Sequence, residues 1–311
     1  MKTSLFIRFS LILLSIFFVQ KVKAEPEFEA YYKIAAFGKH LGFFITSYEF
    51  DMPKKQFRYT TFLRLNKEGT DVTESLKAIS DLDFKPISYE YTQVDVSMQM
   101  DPKTKANTKI TSTTTIDVKV DKKNKMTGQK VINGKKTKIS LDLPKGVFFS
   151  SSLYYVMLKN PPGLKPNTNF KFEAISEELA EIKSGKSTIL PKMVTYGKNN
   201  AYKVMNEFAD SRYENYITEK GEILAAYTPA TGISADMVSN ISEATDGISV
   251  SDAVLAQTFG RKPLGFSNQL MSGGLKKIDP SVPEEKIPAK TLPSAGNKNV
   301  IQKTEQGGTN E

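Results

Sequence analysis

The chain holds one histidine, His40, and no cysteine. These are the side chains that most readily supply a general base or a nucleophile near neutral pH. A single imidazole cannot build a histidine-rich metal site, and without thiols there is no thiolate nucleophile, no disulfide and no Cys-based zinc site. A Ser-His-Asp relay needs a nucleophile elbow, and no G-x-S-x-G occurs. His40 falls in the first expected turn, where a solvent-exposed imidazole is the simple reading.

Three further constellations are worth weighing. Ser184-Gly185-Lys186-Ser187 ends like a phosphate-binding loop, but the glycine required five positions before Gly185 is Ala180, and no strand-to-helix context follows. Thr245-Asp246-Gly247 permutes the order of an aspartic-protease loop and reads as a plain turn. Glu173, Glu177, Glu178 and Glu181 cluster, and on a helix Glu177 and Glu181 would share a face that a hard cation could use. The spacing lacks the Asp-x-Asp pattern and the glycine of a calcium loop, so a solvated acidic face is favoured. No catalytic, cofactor-binding or metal-ligating residue is assigned, and no cofactor is expected.

The elements that would position any site follow the period of β-structure. Ala201 to Tyr227 alternates apolar and polar residues and reverses at Ala209-Asp210-Ser211 and at Glu219-Lys220-Gly221, the pattern of an antiparallel meander. Earlier segments repeat it: Phe28–Phe37, Phe44–Phe50, Gln56–Asn66, Thr70–Ile79, Ile87–Met100, Thr108–Val120, Met126–Ile132 and Lys135–Leu143. Gly42 permits close backbone approach at the start of the second strand. Within Ile87–Met100 the apolar phase passes from Tyr89 and Tyr91 to Val94, Val96, Met98 and Met100, which predicts a β-bulge near Thr92-Gln93. Asp101-Pro102-Lys103 should reverse the chain. Asn133-Gly134 is a strong type I′ hairpin signal.

Ser150 to Lys159 carries serines that can cap a helix, apolar residues at helical spacing, and Asn160-Pro161-Pro162 as a stop. One short helix is predicted there. Phe170–Ile175 and Ser187–Tyr196, the latter interrupted or edged by Pro191, read as strands on either side of an ambiguous 177–183. Ile233–Ser242 reads as a last strand and Ser251–Phe259 as a short helix. The predicted fold class is therefore mainly β: a curved antiparallel meander sheet, either a convex half-barrel or an open β-sandwich, with one or two short helices.

The N-terminus predicts export. Lys2 and Arg8 precede the apolar run Phe9–Val19, and Val22-Lys23-Ala24 suits cleavage after Ala24. An uncleaved anchor is the alternative, helped by Lys21 and Lys23. The formal charge of +9 includes Lys2, Arg8, Lys21 and Lys23 and falls to +5 on cleavage. This leaves a mildly basic chain suited to an anionic envelope surface, without the basic stripe of a nucleic-acid binder. No later run is long and apolar enough for a membrane helix. The expected organisation is a signal peptide over 1–24, an N-terminal β region over 25–149, a covering helix and Pro-rich turn over 150–167, a C-terminal β region over 168–260 that continues the sheet, and a disordered tail over 275–311 punctuated by Pro280, Pro283, Pro288 and Pro293.

Residues 101–138 hold eleven lysines against Asp101, Asp117 and Asp121, a local excess of eight positive charges. Such a comb could meet phosphate headgroups or an acidic partner. Protection of a sheet edge from aggregation is the favoured reading.

Four stretches resemble a known family. Tyr32-Lys33-Ile34 followed by Gly38 and Gly42 resembles an opening Y-x-I…G-x-x-x-G hairpin. Asp83-Phe84-Lys85-Pro86-Ile87 resembles an acid–apolar–x–Pro lead into a long strand. Pro144 to Pro166 resembles a mid-domain helix with its Gly-Leu-x-Pro-Asn turn, and Thr218 to Ala225 resembles a late hairpin. Over residues 28–245 the chain is similar to a family of uncharacterised bacterial envelope proteins known only as a domain of unknown function. The resemblance implies a single curved antiparallel sheet, a convex half-barrel, exported to the periplasm. It brings no catalytic residues, and residues 101–138 and the stretch after Gly260 depart from it.

The expected function is thus that of a non-enzymatic periplasmic protein. An open curved sheet leaves a concave face that must be covered by a helix or a ligand, and the helix at 150–159 is the natural cover. A lipid or another envelope protein is the expected partner, with no nucleic acid and no integral membrane segment after cleavage. A carboxylate-dependent envelope hydrolase and an outer-membrane β-barrel are the alternatives; the Thr/Lys faces of 108–120 and 130–138 argue against the barrel.

Overall fold

The computed structural model describes residues 26–67, 69–100 and 107–272. The expected signal peptide, the reversal at Asp101-Pro102-Lys103 and the tail over 275–311 lie outside the described residues. The described strands fall into two meanders. The first comprises β1 (Phe28–Ala36), β2 (Lys39–Asp51), β3 (Gln56–Lys67), β4 (Thr70–Asp81), β5 (Pro86–Met100), β6 (Asn107–Val120), β7 (Lys125–Ile132) and β8 (Lys135–Asp142). The second comprises β9 (Phe148–Phe149), β10 (Asn169–Ser176), β11 (Glu181–Tyr196), β12 (Asn199–Phe208), β13 (Ser211–Ile217), β14 (Ile223–Thr228) and β15 (Ile233–Met237).

The two meanders form one sheet of fifteen strands, in the order β8 to β1 and then β15 down to β9. They are joined edge to edge by antiparallel pairing of β1 with β15. Only the short β9 pairs in parallel, with β10. The terminal strands β8 and β9 do not pair, so the sheet is open and the closed-barrel alternative is not this fold. It still curls on itself. Tyr89 on β5 meets Phe149 on β9 edge-on with ring centroids 5.5 Å apart, and Lys130 on β7 donates to the Glu178 carbonyl at 3.5 Å.

The main core lies on the inner face of this curl, built from alternate residues of both meanders. The helix α1 (Leu153–Lys159) lies there, with Leu153, Tyr154, Val156 and Met157 buried. Its Tyr155 ring sits 4.9 Å from Tyr48 and 5.2 Å from Phe57, within an aromatic cluster that includes Phe84. A smaller core on the outer face gathers Tyr31, Phe43, Ile45 and Phe62 under α2 (Ile241–Thr245) and α3 (Asp252–Phe259).

The outer layer also completes the sheet. β1 pairs with β15 only from Tyr32 onward, which leaves its first half without a partner on that edge. Backbone groups so exposed inside a protein must find partners. Asn268 supplies them: its Oδ1 accepts from the Tyr31 N–H at 2.9 Å, and its Nδ2 donates to the carbonyls of Tyr31 and Val238. The fully buried Glu29 accepts from the N–H groups of Leu264 and Gly265 and pairs with Arg261 at 2.5 Å.

Several expectations need correction. No bulge occurs at Thr92-Gln93: β5 keeps register with β4 from Ser97 to Ser88, and the shift falls at Ile79/Ser80 opposite Pro86. The apolar phase changes because the inner face turns polar, not because the strand slips. Tyr91 donates to Gln93, which donates in turn to Asp95, all on the inner face. The last strand stops at Met237, and Asn240 caps α2. His40 lies within β2 rather than in a turn, because the reversal is completed at Phe37-Gly38. It is half-buried, and its Nε2 lies 2.9 Å from the Gly42 carbonyl and 3.1 Å from that of Ala244. The imidazole thus ties β2 to α2.

Candidate functional site

The length of α1 decides where a site can be. Seven residues of helix reach about 10 Å, whereas the twelve residues of β3 extend about 40 Å. The helix fills one part of the inner face and leaves the rest uncovered. Two contiguous chambers occupy that remainder, sharing Phe44, Tyr59 and Leu63 in their walls.

The first chamber, of about 330 Å³, is apolar. Alternation along the strands presents Ile34 from β1, Leu63 and Leu65 from β3, and Ile233 and Ala235 from β15, and a register shift in β14 brings Ile223 and Ala226 to the same wall. Tyr32 adds its ring, its hydroxyl being committed to the Ile223 carbonyl at 2.7 Å. Asn215 on β13 and Thr46 on β2 are polar exceptions in this wall. Asn215 is only 5% exposed; its Nδ2 donates to the Tyr154 hydroxyl at 2.7 Å, and its Oδ1 has no hydrogen-bond partner. A buried amide oxygen left unpaired is costly; the residue lines the chamber, while this oxygen is turned away from its open space.

The second chamber, of about 630 Å³, is acidic. Glu74 on β4 stands opposite Leu63 and Gln93 on the inner face. Glu177 and Glu178 come from the turn between β10 and β11, and Lys130 from β7. Glu177 is buried and accepts from the Ser150 hydroxyl at 2.6 Å, the Ser151 hydroxyl at 2.7 Å and the Ser151 N–H at 3.2 Å. Burial pushes its carboxyl above the ordinary range despite those bonds. Burial does the same to Glu74, the nearby acids Glu178 and Asp95 add to the shift, and hydrogen bonding to Tyr91 opposes it.

The acidic cluster read from the sequence is therefore not one solvated face. Glu177 is buried, Glu178 is exposed, and Glu181 opens β11 and pairs with Lys183 at 2.6 Å. Ser150 and Ser151 do not cap α1; they hold Glu177. Ser184 to Ser187 lies within β11, where a Cβ on Gly185 would strike the Phe172 ring. Among the described residues no group of three or more His, Cys, Asp or Glu side chains could hold a metal ion, and no helix is long and apolar enough to cross a membrane. The lysine-rich hairpin places Lys135, Lys136 and Lys138 on β8, an edge strand of the sheet.

Glu74 and Asn215 carry no motif. Period-two alternation puts Glu74 in phase with Leu76 and Ala78, and Asn215 in phase with Ile217. A polar residue in the apolar phase of a strand was the one signal available for either. Compared with known proteins, the chain matches no family model, no curated protein and no solved structure.

Proposed function

We propose that this chain is an exported, non-enzymatic envelope protein that holds an apolar ligand on the inner face of its curled sheet. The observation that carries the reading is the apolar chamber that α1 leaves unfilled on the inner face. Small-molecule pockets combine such an apolar lining with a few placed polar groups, and span about 300–1,000 Å³. The basic, apolar and small-residue order of residues 1–24 supports export. Organic extraction of the purified chain followed by mass spectrometry should release a lipid-class species in near-equimolar amount. An extract without one, from a chain that also takes up no apolar probe, would remove the ligand reading and leave docking of an envelope partner.

The acidic chamber favours one second reading, the carboxylate hydrolase, since Glu74 and Glu177 share a cleft and both are shifted toward the protonated form. The arrangement of Glu177 speaks against it. Both of its oxygens are held by Ser150 and Ser151, so neither is left free to reach a substrate. Glu177 fits better as the tie between the β10–β11 turn and the start of α1.

A further inference from the structure

Antiparallel pairing sends every second turn of a meander to the same end of its sheet. The turns β1–β2, β3–β4, β7–β8, β10–β11, β12–β13 and β14–β15 therefore share one end with the last residues of β5 and the first of β6. Most of the exposed large apolar side chains of the strands and turns gather there, among them Phe37, Met98, Met100, Ile110, Ile132 and Leu179. Among the described residues the strands and turns of the opposite end show Met52 and Met193. We propose that this rim is a membrane-docking edge, whose apolar tips enter the surface of a bilayer carrying anionic phospholipids.

Phe37 carries the proposal furthest. It and Gly38 make the β1–β2 turn with both φ positive, 50° and 78°. The first place in such a turn suits Asn, Asp or Gly, and Asn133-Gly134 shows the fitting choice at the β7–β8 turn, with φ of 50° and 81°. A bulky side chain held at positive φ costs backbone strain. Packing does not repay it. The Phe37 ring leans on Gly232 of the β14–β15 turn, where a Cβ would lie 2.8 Å from it, and the residue is still 90% exposed. A phenylalanine kept at a tip against both backbone preference and water has its apolar surface free for insertion.

The pattern around Phe37 favours lipid as the occupant. The apolar residues sit on separate hairpins, whereas a folded partner needs one continuous complementary surface. Lipid flows around each tip and takes apolar side chains to a shallow depth. Exposed lysines stand beside the tips: Lys39, Lys109, Lys135 and Lys136. Glu178 and Asp210 are the exposed acids there that join none of the described ion pairs. Lysines flanking apolar tips can lie along the headgroups and meet their phosphates. This rests on the rim alone and not on what the apolar chamber holds.

The sequence has no tryptophan, so one placed at a tip reports its own surroundings. Phe37→Trp and, at the opposite end, Met52→Trp are made in the full chain. Each is mixed with vesicles of phosphatidylcholine and phosphatidylglycerol whose acyl chains carry bromine. The emission of Phe37→Trp should shift to the blue and be quenched, and that of Met52→Trp should change little. Adding Lys135→Gln and Lys136→Gln to Phe37→Trp should raise the lipid concentration for half-quenching about tenfold, and vesicles of phosphatidylcholine alone should do the same. Phe37→Asn, which suits the turn, should keep or raise the urea midpoint. A lowered midpoint would give Phe37 a structural role and remove the residue that carries the inference. Equal quenching at both positions, or none at Phe37→Trp, would overturn docking through this rim. Half-quenching unmoved by the lysine changes and by lipid charge would overturn the choice of an anionic surface. A blue shift of Phe37→Trp that needs no vesicles and grows with protein concentration would make a second copy the partner and overturn it too.

Discussion

Tyr154 on α1 and Asn215 on β13 meet through a 2.7 Å hydrogen bond in which the amide Nδ2 donates to the phenol oxygen. Asn206 on β12 donates to the same oxygen at 3.0 Å and itself accepts from Ser187 on β11 at 2.7 Å. One hydroxyl thus fastens the covering helix to two neighbouring strands, and through Asn206 to a third, and sets the orientation of the amide that borders the apolar chamber. Replacing Tyr154 by Phe keeps the ring but strands two buried amide donors. The expected loss is about 1–3 kcal/mol in urea denaturation. Tyr155→Phe in the neighbouring aromatic cluster should cost clearly less, because among the described residues no hydrogen bond of the Tyr155 hydroxyl supports another buried group.

The outer strap, residues 261–268, depends on Glu29. Its side chain is fully buried, Arg261 is 18% exposed, and two backbone N–H groups also point at the carboxylate. Glu29→Ala leaves a largely buried guanidinium with only its longer 3.9 Å pairing to Glu49, a loss of about 3 kcal/mol. Chemical denaturation should show it, and proteolysis at Arg261 or Lys262 should appear in the folded protein. Glu207→Ala breaks the exposed 3.6 Å pair with Arg212 and should change neither readout.

The buried carboxyl of Glu177 makes stability depend on pH in a defined direction. Its value in the folded chain is raised above the ordinary 4.5, so the folded state holds the proton more tightly than the unfolded chain. That contribution is fully present below about pH 4.5 and is lost as pH rises through the raised folded value. Glu74 adds in the same sense. Glu177→Gln removes this titration, and Ser150 or Ser151 can turn its hydroxyl to accept from the new amide. The fall in stability between acidic and neutral pH should therefore flatten in the variant, measured as denaturation midpoints across that range. An unchanged slope would show that Glu177 is ionised in the folded protein.

Much of the fold was legible because strands and hairpins are local. Asn133-Gly134 turns with both residues at positive φ, 50° and 81°, as its sequence demands. Pro191 falls where β11 and β12 lose register between Ile189 and Met193. Gly42 is forced by its surroundings, since a Cβ there would lie 2.0 Å from the Arg64 carbonyl oxygen. The site was not legible, because it is assembled from distant segments. Glu177 reads as one more acid in a charged turn until the curl of the sheet brings Ser150 and Ser151 over it. Glu29 sits in phase with the outer face of β1, and nothing near it in sequence announces the strap more than 230 residues later that covers it. The phase change in β5 reads from the sequence as a bulge, since composition alone cannot distinguish a slipped strand from a face whose environment changes.

The claim that an apolar ligand occupies the chamber is tested most directly by filling it. Ala235 points from β15 into that space beside Ile34 and Ile233, and Ala235→Phe would place a ring where the ligand should lie. Titration of an apolar, environment-sensitive fluorophore into the wild-type chain should give saturable one-to-one binding. The Ala235→Phe chain should retain its melting temperature and lose that binding. Equal binding by both chains, or only non-saturating uptake by the wild type, would contradict the account.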